Sequence, residues 1–94
     1  MRLILWKGAD AMSGYLNSAR EHAEEIAYYA NYGAPGHAHH QAGYHWRCLQ
    51  ELLRRAVLSQ RQAADVPAIQ LLMQGAADDM QSAKARDAGA EDRL

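Results

Sequence analysis

The 94-residue chain contains no phenylalanine, only one cysteine and two prolines, and its charges nearly cancel. Because Cys48 has no second cysteine to pair with, an internal disulfide is excluded. The lone thiol and the lack of a secretory-signal pattern favour a reducing, cytoplasmic location. The apolar run at residues 3–6 is too short for a signal-peptide core or a membrane span, which need about 7 and about 20 residues.

A net charge of −1 and a shortage of large apolar side chains set further limits. General polyanion binders normally carry a basic excess, which this chain lacks. Much of its 49% hydrophobic content is alanine, and a chain of this length buries only part of its surface. A modest core is therefore expected, and association between copies would be a natural supplement to it.

Three segments of the chain show apolar residues at helical spacing, separated by turn residues. The first covers residues 13–32 and ends where Gly33 and Pro35 stop a helix. Asp10, Ser13 and Ser18 are candidate N-caps of this helix, and the stretch from Ser18 to Glu21 also matches a capping box. The glutamates of this segment lie on the side opposite its apolar face.

The second helical segment covers at least residues 44–64, with an apolar face that includes Val57 and Ala63. Its start is open. The helix begins either near His37, with Gly43 inside it at a cost of about 1 kcal/mol, or after Gly43.

The third helical segment starts at residues 65–67, where an aspartate N-cap precedes a proline of the first turn. Three helices joined by short links predict an all-α fold, a small three-helix bundle over residues 13–87. Residues 1–12 are predicted to form a short extended N-terminal arm. Residues 88–94 are predicted to form a flexible tail, because they have nothing to bury.

Four of the five histidines fall within nine residues, between the first two segments. They are His37, His39, His40 and His45. In a loop these side chains would converge on one Zn²⁺ ion, which usually takes four nitrogen, sulfur or oxygen donors. In a helix that starts at His37, His45 would lie about 12 Å further along the axis, too far to share an ion. We favour a polar, partly exposed helix start; the alternatives are a zinc site, a pH-sensitive surface and hydrogen bonds to a partner.

Arg47, Arg54 and Arg61 recur at a spacing of seven and would form a basic stripe along one side of the second helix. Guanidinium groups in a row bind phosphates or an acidic protein surface. Glu51 lies four residues from Arg47 and three from Arg54, so it would neutralise part of the stripe. A solvated helix face is the main interpretation and an acidic protein partner the second. Nucleic acid is the least favoured, because no basic excess supports it.

The helical projection also places large apolar side chains away from the three core faces. They are Tyr28, Tyr32, Tyr44, Leu58 and Leu71. Single exposed apolar residues are ordinary, but several of them, with tyrosines beside charged side chains, are typical of a binding surface. The alternative is that helices of a small bundle are buried on two sides, which would place some of these residues in the core. We expect a partner-binding surface formed by these residues and the three arginines.

No catalytic motif accompanies these features. Cys48 and His45 are about one helical turn apart, but nucleophilic catalysis also needs an oxyanion hole and a substrate cleft. Three short helices offer little room for a cleft, so the chain is predicted not to be an enzyme and to need no cofactor. The predicted function is protein binding by a small homo-oligomeric adaptor or inhibitor, a class that includes inhibitors encoded by phages and other mobile elements. The rival functions are metal or small-ligand binding by the histidine segment and nucleic-acid association through the arginine stripe.

Overall fold

A computed structural model describes residues 14–92 of the chain, and the side chains of residues 14–89. In this range the chain forms three α-helices and one turn of 3-10 helix, and no strand. Helix α1 covers Gly14–Tyr32, α2 Ala38–Leu58 and α3 Val66–Asp92, with the 3-10 turn at Ala63–Asp65. Each helix packs against the other two, so the predicted all-α three-helix bundle is confirmed. The predicted N-terminal arm, residues 1–12, lies outside the described residues.

The starts of the first two helices show that the predicted capping box is wrong and decide between the two predicted starts of the second helix. Ser18 lies inside α1, which is already helical at Gly14, so the predicted capping box is wrong. The apolar periodicity in fact begins with Tyr15, which packs against the core ahead of Ser18. Helix α2 starts at Ala38, so the earlier of its two predicted starts is right and Gly43 lies inside the helix.

The turn between α1 and α2 depends on two glycines. α1 ends at Tyr32 as predicted, and a Cβ atom on the following Gly33 would lie 2.5 Å from the Tyr29 carbonyl oxygen and 2.9 Å from the Ala38 Cβ. Gly36 has a φ of +97°, in the left-handed region that favours glycine. These glycines let the chain reverse in a short link, so that α1 and α2 lie side by side.

Helix α2 ends earlier than predicted, at Leu58 instead of residue 64. Ser59 takes an extended conformation, with φ −103° and ψ 123°. Its hydroxyl oxygen accepts a hydrogen bond from the Gln62 N–H at 3.3 Å, which stabilises a turn in place of further helix. Val57, in the last turn of α2, and Ala63, in the 3-10 turn, were both predicted for the core face, and both are exposed.

Helix α3 continues to Asp92, so the tail predicted from residue 88 is helical as far as residue 92. Contacts with the α1–α2 turn hold this end of the helix. The Arg86 Nε donates a hydrogen bond to the Gly33 carbonyl oxygen. The neighbouring side chain, Asp87, makes a second set of contacts with the same turn.

The Asp87 carboxylate caps the N-terminus of α2 from another helix. Its Oδ1 accepts hydrogen bonds from the N–H groups of Gly36 at 2.9 Å and Ala38 at 3.0 Å. Its Oδ2 accepts one from the N–H of His39 at 2.9 Å. The His37 side chain, at the N-cap position itself, makes no capping hydrogen bond. Asp87 therefore satisfies N–H groups that a helix N-terminus leaves without intrahelical partners.

The core is small and rich in alanine, as the composition predicted. Among the described residues its buried side chains are seven alanines and three larger residues, Ile26, Leu49 and Ile69. Half-buried aliphatic and aromatic side chains pack around them. Small side chains at the contacts let helix axes approach closely. None of the three helices, over the part of the chain that is described, is long and apolar enough to cross a membrane.

Candidate functional site

Three exposed tyrosines lie on neighbouring helices, α1 and α2. Tyr28 and Tyr32 of α1 are 52% and 73% exposed, and Tyr44 of α2 is 58% exposed. The prediction that these three side chains point away from the core is therefore confirmed. A spacing of four places Tyr28 and Tyr32 on one face of α1, with their ring centroids 5.5 Å apart.

Half-buried rings join the exposed tyrosines across the two helices. Tyr28 packs edge-on against Tyr29, with centroids 5.3 Å apart, and Tyr29 stacks on His45 at 5.9 Å. His45 in turn packs edge-on against Tyr44 at 5.0 Å. These separations lie in the range of about 4.5–7 Å that favourable aromatic pairs adopt. The result is a continuous row of five rings, here named the aromatic ridge: Tyr32, Tyr28, Tyr29, His45 and Tyr44.

His22 of α1 contacts His45, the histidine of the aromatic ridge. The Nδ1 atoms of His22 and His45 lie 2.8 Å apart, a hydrogen-bond distance. One ring must donate and the other accept, so the pair cannot be protonated on both Nδ1 atoms at once. On the far side of the ring, the His45 Nε2 lies 4.0 Å from the Glu25 carboxylate. With a proton on that Nε2, His45 accepts at Nδ1 and His22 donates.

The surroundings of His22 favour its neutral form. Burial, and then the positive charge that His45 would carry, lower the pKa of His22 below its ordinary value of 6.5. Glu21 and Glu25 act in the opposite direction but are smaller causes. Near pH 7 His22 is therefore neutral, and its hydrogen bond with His45 joins α1 to α2 at this point.

A groove of about 390 Å³ borders the ridge along α2. It is lined by His22, Tyr44, Arg47, Cys48, Glu51, Leu52 and Arg55. Arg47 is exposed and also borders a second groove, toward α3, beside Trp46 and Met80. Among the described side chains, no carboxylate forms an ion pair with Arg47. A guanidinium group that forms no ion pair with a described carboxylate therefore lies at the edge of the ridge.

The predicted stripe of three arginines is wrong. Arg61 follows the end of α2, so it cannot continue the helical row of Arg47 and Arg54. Glu51 accepts two hydrogen bonds from Arg54 and one from Arg55, the last at 2.8 Å. These hydrogen bonds hold the pKa of the Glu51 carboxyl at about 2. The carboxylate stays charged and neutralises part of this face, as its spacing predicted.

The four clustered histidines do not converge on one point. His39 and His40 lie exposed in the first turn of α2, His37 precedes the helix, and His45 belongs to the ridge two turns further on. Within residues 14–89, no three His, Cys, Asp or Glu side chains are close enough to hold a metal ion. The loop geometry that the zinc interpretation required is therefore not found, and the segment is a helix start.

The two predicted leucines are exposed as expected, but they lie apart from the ridge. Leu58 is the last residue of α2. Leu71 lines a groove of about 440 Å³ between α1 and α3, together with the charged side chains of Arg20, Glu24 and Asp79. The single surface predicted from the sequence is therefore at least two surfaces, the aromatic ridge on α1 and α2 and the groove at Leu71.

Sequence reasoning missed two members of the site, His22 and Tyr29. Both flank the apolar face of α1 at a spacing of seven, which places them on one edge of the helix. That spacing was the available signal, but the residue they meet, His45, lies on the other helix. The pairing of α1 with α2 therefore had to be known before the ridge could be seen.

Comparison with known proteins gave no match to any protein family, to any curated protein or to any solved structure.

Proposed function

We propose that this chain is a non-catalytic protein-binding module, a small adaptor or inhibitor, whose main contact surface is the aromatic ridge. The continuous row of rings carries the proposal, because three of its five members are more than half exposed. Tyrosine and arginine are enriched where binding energy concentrates at protein interfaces. Here Tyr44 lines the same groove as Arg47, which forms no ion pair with any described carboxylate.

The ridge also holds its tyrosines in place before binding. Tyr28 is held between the rings of Tyr29 and Tyr32, and Tyr44 rests against His45. Side chains that are already ordered lose little conformational freedom when a partner binds. This arrangement favours contact with a protein surface over the alternative in which the tyrosines are only solvated.

The non-catalytic part of the proposal is supported by the shape and chemistry of the grooves. They follow the outer surfaces of helices, and the one carboxylate beside Cys48, that of Glu51, is bound by two arginines. A cytoplasmic location, which the single thiol favours, and an origin in a phage or other mobile element belong to the same proposal.

The groove at Leu71 is the second candidate contact surface. Leu71 is exposed and lines this groove together with Leu72 and Ala76, and three charged side chains line it as well. Protein interfaces commonly combine apolar and polar side chains in this way. An adaptor with the ridge on one side and this groove on another would contact two protein chains at once.

Photo-crosslinking in the cells that produce the protein tests the proposal. A photoreactive amino acid at Tyr32 or Leu71 is expected to give covalent adducts with protein, and the same amino acid at Lys84, which is exposed on α3, is expected to give none. Mass spectrometry of each adduct identifies the partner. Failure to obtain any adduct from Tyr32, with circular dichroism showing intact helices, would contradict the proposed function.

A further inference from the structure

The exposed face of α1 carries an acidic half and an aromatic half. Glu21, Glu25, Tyr28 and Tyr32 follow one another at spacings of four, three and four, which places them in one row along the helix. All four side chains are exposed. Among the described residues Glu21 has no ion-pair partner. Along this row the glutamates therefore lie farther from the α1–α2 turn and the tyrosines lie nearer to it.

The neighbouring face of α2 carries the complementary pattern. Its row begins after the turn with Tyr44 and continues at spacings of three, four and four through Arg47, Glu51 and Arg55. The Glu51 carboxylate is already bound by Arg54 and Arg55, so the row keeps a positive balance. Within the described part of the chain, Arg47 forms no ion pair. This row therefore runs from tyrosine to positive charge as it leaves the turn.

The rows on α1 and α2 lie side by side along the helix axes, with their aromatic halves level with each other and their charged halves level with each other. The stacking of Tyr29 on His45 aligns their aromatic halves. His22, the neighbour of Glu21, lines the same groove as Arg47 and Arg55, which aligns their charged halves. The α1–α2 face is thus acidic along one edge and basic along the other, with tyrosines at one end.

We infer that the protein on the aromatic ridge is a second copy of this chain. A two-fold axis parallel to α1 and α2 lays α1 of one copy on α2 of the other, as an interface of identical patches requires. Glu21 of each copy then faces Arg47 of the other, and Tyr28 and Tyr32 meet Tyr44. The four helices at the interface form an arrangement like a four-helix bundle. The inference rests on the proposed function, because it names the occupant of the same ridge, and it leaves the Leu71 groove free for another protein.

A charge exchange tests this pairing by sedimentation equilibrium of the full chain. Wild type is expected to be a dimer. Glu21→Arg and Arg47→Glu each place like charges opposite one another twice per dimer, so each should raise the dimer dissociation constant about tenfold or more. An equimolar mixture of the two variants restores both Glu–Arg contacts and should form a heterodimer, and the double variant should form a homodimer. Asp78→Arg and Lys84→Glu, exposed on α3, are the matched controls and should dimerise as wild type.

Each outcome decides the inference. Restored association in the mixture and in the double variant supports it, and also shows that the single variants keep their fold. A wild type that stays monomeric at the highest concentration overturns it, as do single variants that dimerise normally or a mixture that stays monomeric. If wild type is monomeric while Tyr32 cross-links to a different protein, the second copy is excluded and the proposed function stands.

Discussion

The imidazole rings of His22 and His45 share a hydrogen bond between their Nδ1 atoms, 2.8 Å apart, across the contact between α1 and α2. Each ring also belongs to a neighbouring feature of the surface. His45 is a member of the aromatic ridge and stacks on Tyr29, and His22 lines the groove beside the ridge. The protonation state of His22 therefore links the contact between α1 and α2 to the order of the ridge.

The stability of the chain should fall as the pH drops below 6.5, because the pKa of His22 is lower in the folded chain than this ordinary value. Above pH 6.5 His22 is neutral in both states. Below it the unfolded chain takes up a proton that the folded chain resists, so the free energy of unfolding decreases until the lowered pKa is reached. Urea unfolding between pH 5 and pH 8 measures the slope. His22→Gln should flatten it and the exposed His40→Gln should not; an unchanged slope in His22→Gln would refute this origin.

Removal of the Asp87 carboxylate should destabilise the bundle. Burial disfavours the charged form, but the N–H groups of His39, Gly36 and Ala38 outweigh it and lower the pKa of Asp87 below 3.8. Asp87→Ala leaves these N–H groups without their acceptor and should cost about 1–2 kcal/mol, as for other helix caps. Asp87→Asn should cost less. The control is Asp78→Ala, exposed on the same helix, whose free energy of unfolding in thermal unfolding should stay within about 0.5 kcal/mol of wild type. Equal losses of stability in Asp78→Ala and Asp87→Ala would rule out a capping role for Asp87.

Two pairs of glycine substitutions should have opposite effects on unfolding. Gly43→Ala and Gly75→Ala lie inside helices where a Cβ meets nothing within 4 Å, so each should add about 0.5–1 kcal/mol of stability. Gly33→Ala introduces a clash with the backbone, and Gly36→Ala forces a side chain into a positive φ. Both should destabilise the chain. Destabilisation by the Gly43 or Gly75 variant would mean that these helix positions are packed more tightly than described.

Addition of Zn²⁺ or of EDTA should leave the melting temperature unchanged. His37, His39, His40 and His45 lie along a helix start and do not form a common ligand set. A bound ion at 100 times its Kd would add about 2.7 kcal/mol of stability, which is easily detected. A rise in melting temperature with Zn²⁺ that disappears in a His39→Ala, His40→Ala double variant would restore the metal interpretation.

The fold could be predicted from the sequence because apolar spacing and turn glycines report directly on helices. The link at Gly33 and Pro35 ended the first helix at the right residue. The end of α2 was placed too late, because the apolar spacing continues through Val57 and Ala63. The turn that ends the helix includes a hydrogen bond from the Gln62 N–H to the Ser59 hydroxyl. Such a local side-chain contact competes with the helix without changing the apolar pattern.

The site could be predicted only in part. Exposure of Tyr28, Tyr32 and Tyr44 followed from their positions on single helices. The contacts that join them pass through Tyr29 and His45, and these depend on the relative position of two helices, which periodicity within one helix does not specify. The same limit explains Asp87, whose carboxylate caps a helix that starts about fifty residues earlier in the chain.

The central claim is that the three exposed tyrosines of the ridge, Tyr28, Tyr32 and Tyr44, serve contact with protein and are not part of the core. Urea unfolding of the Tyr28→Ala, Tyr32→Ala double variant at the lowest measurable protein concentration tests it most directly. The free energy of unfolding should lie within about 1 kcal/mol of wild type, since exposed positions contribute about 0.5 kcal/mol or less each. A loss of about 3–5 kcal/mol or more, the usual cost of truncating a buried aromatic side chain, would show that the rings hold the bundle together and would contradict the account.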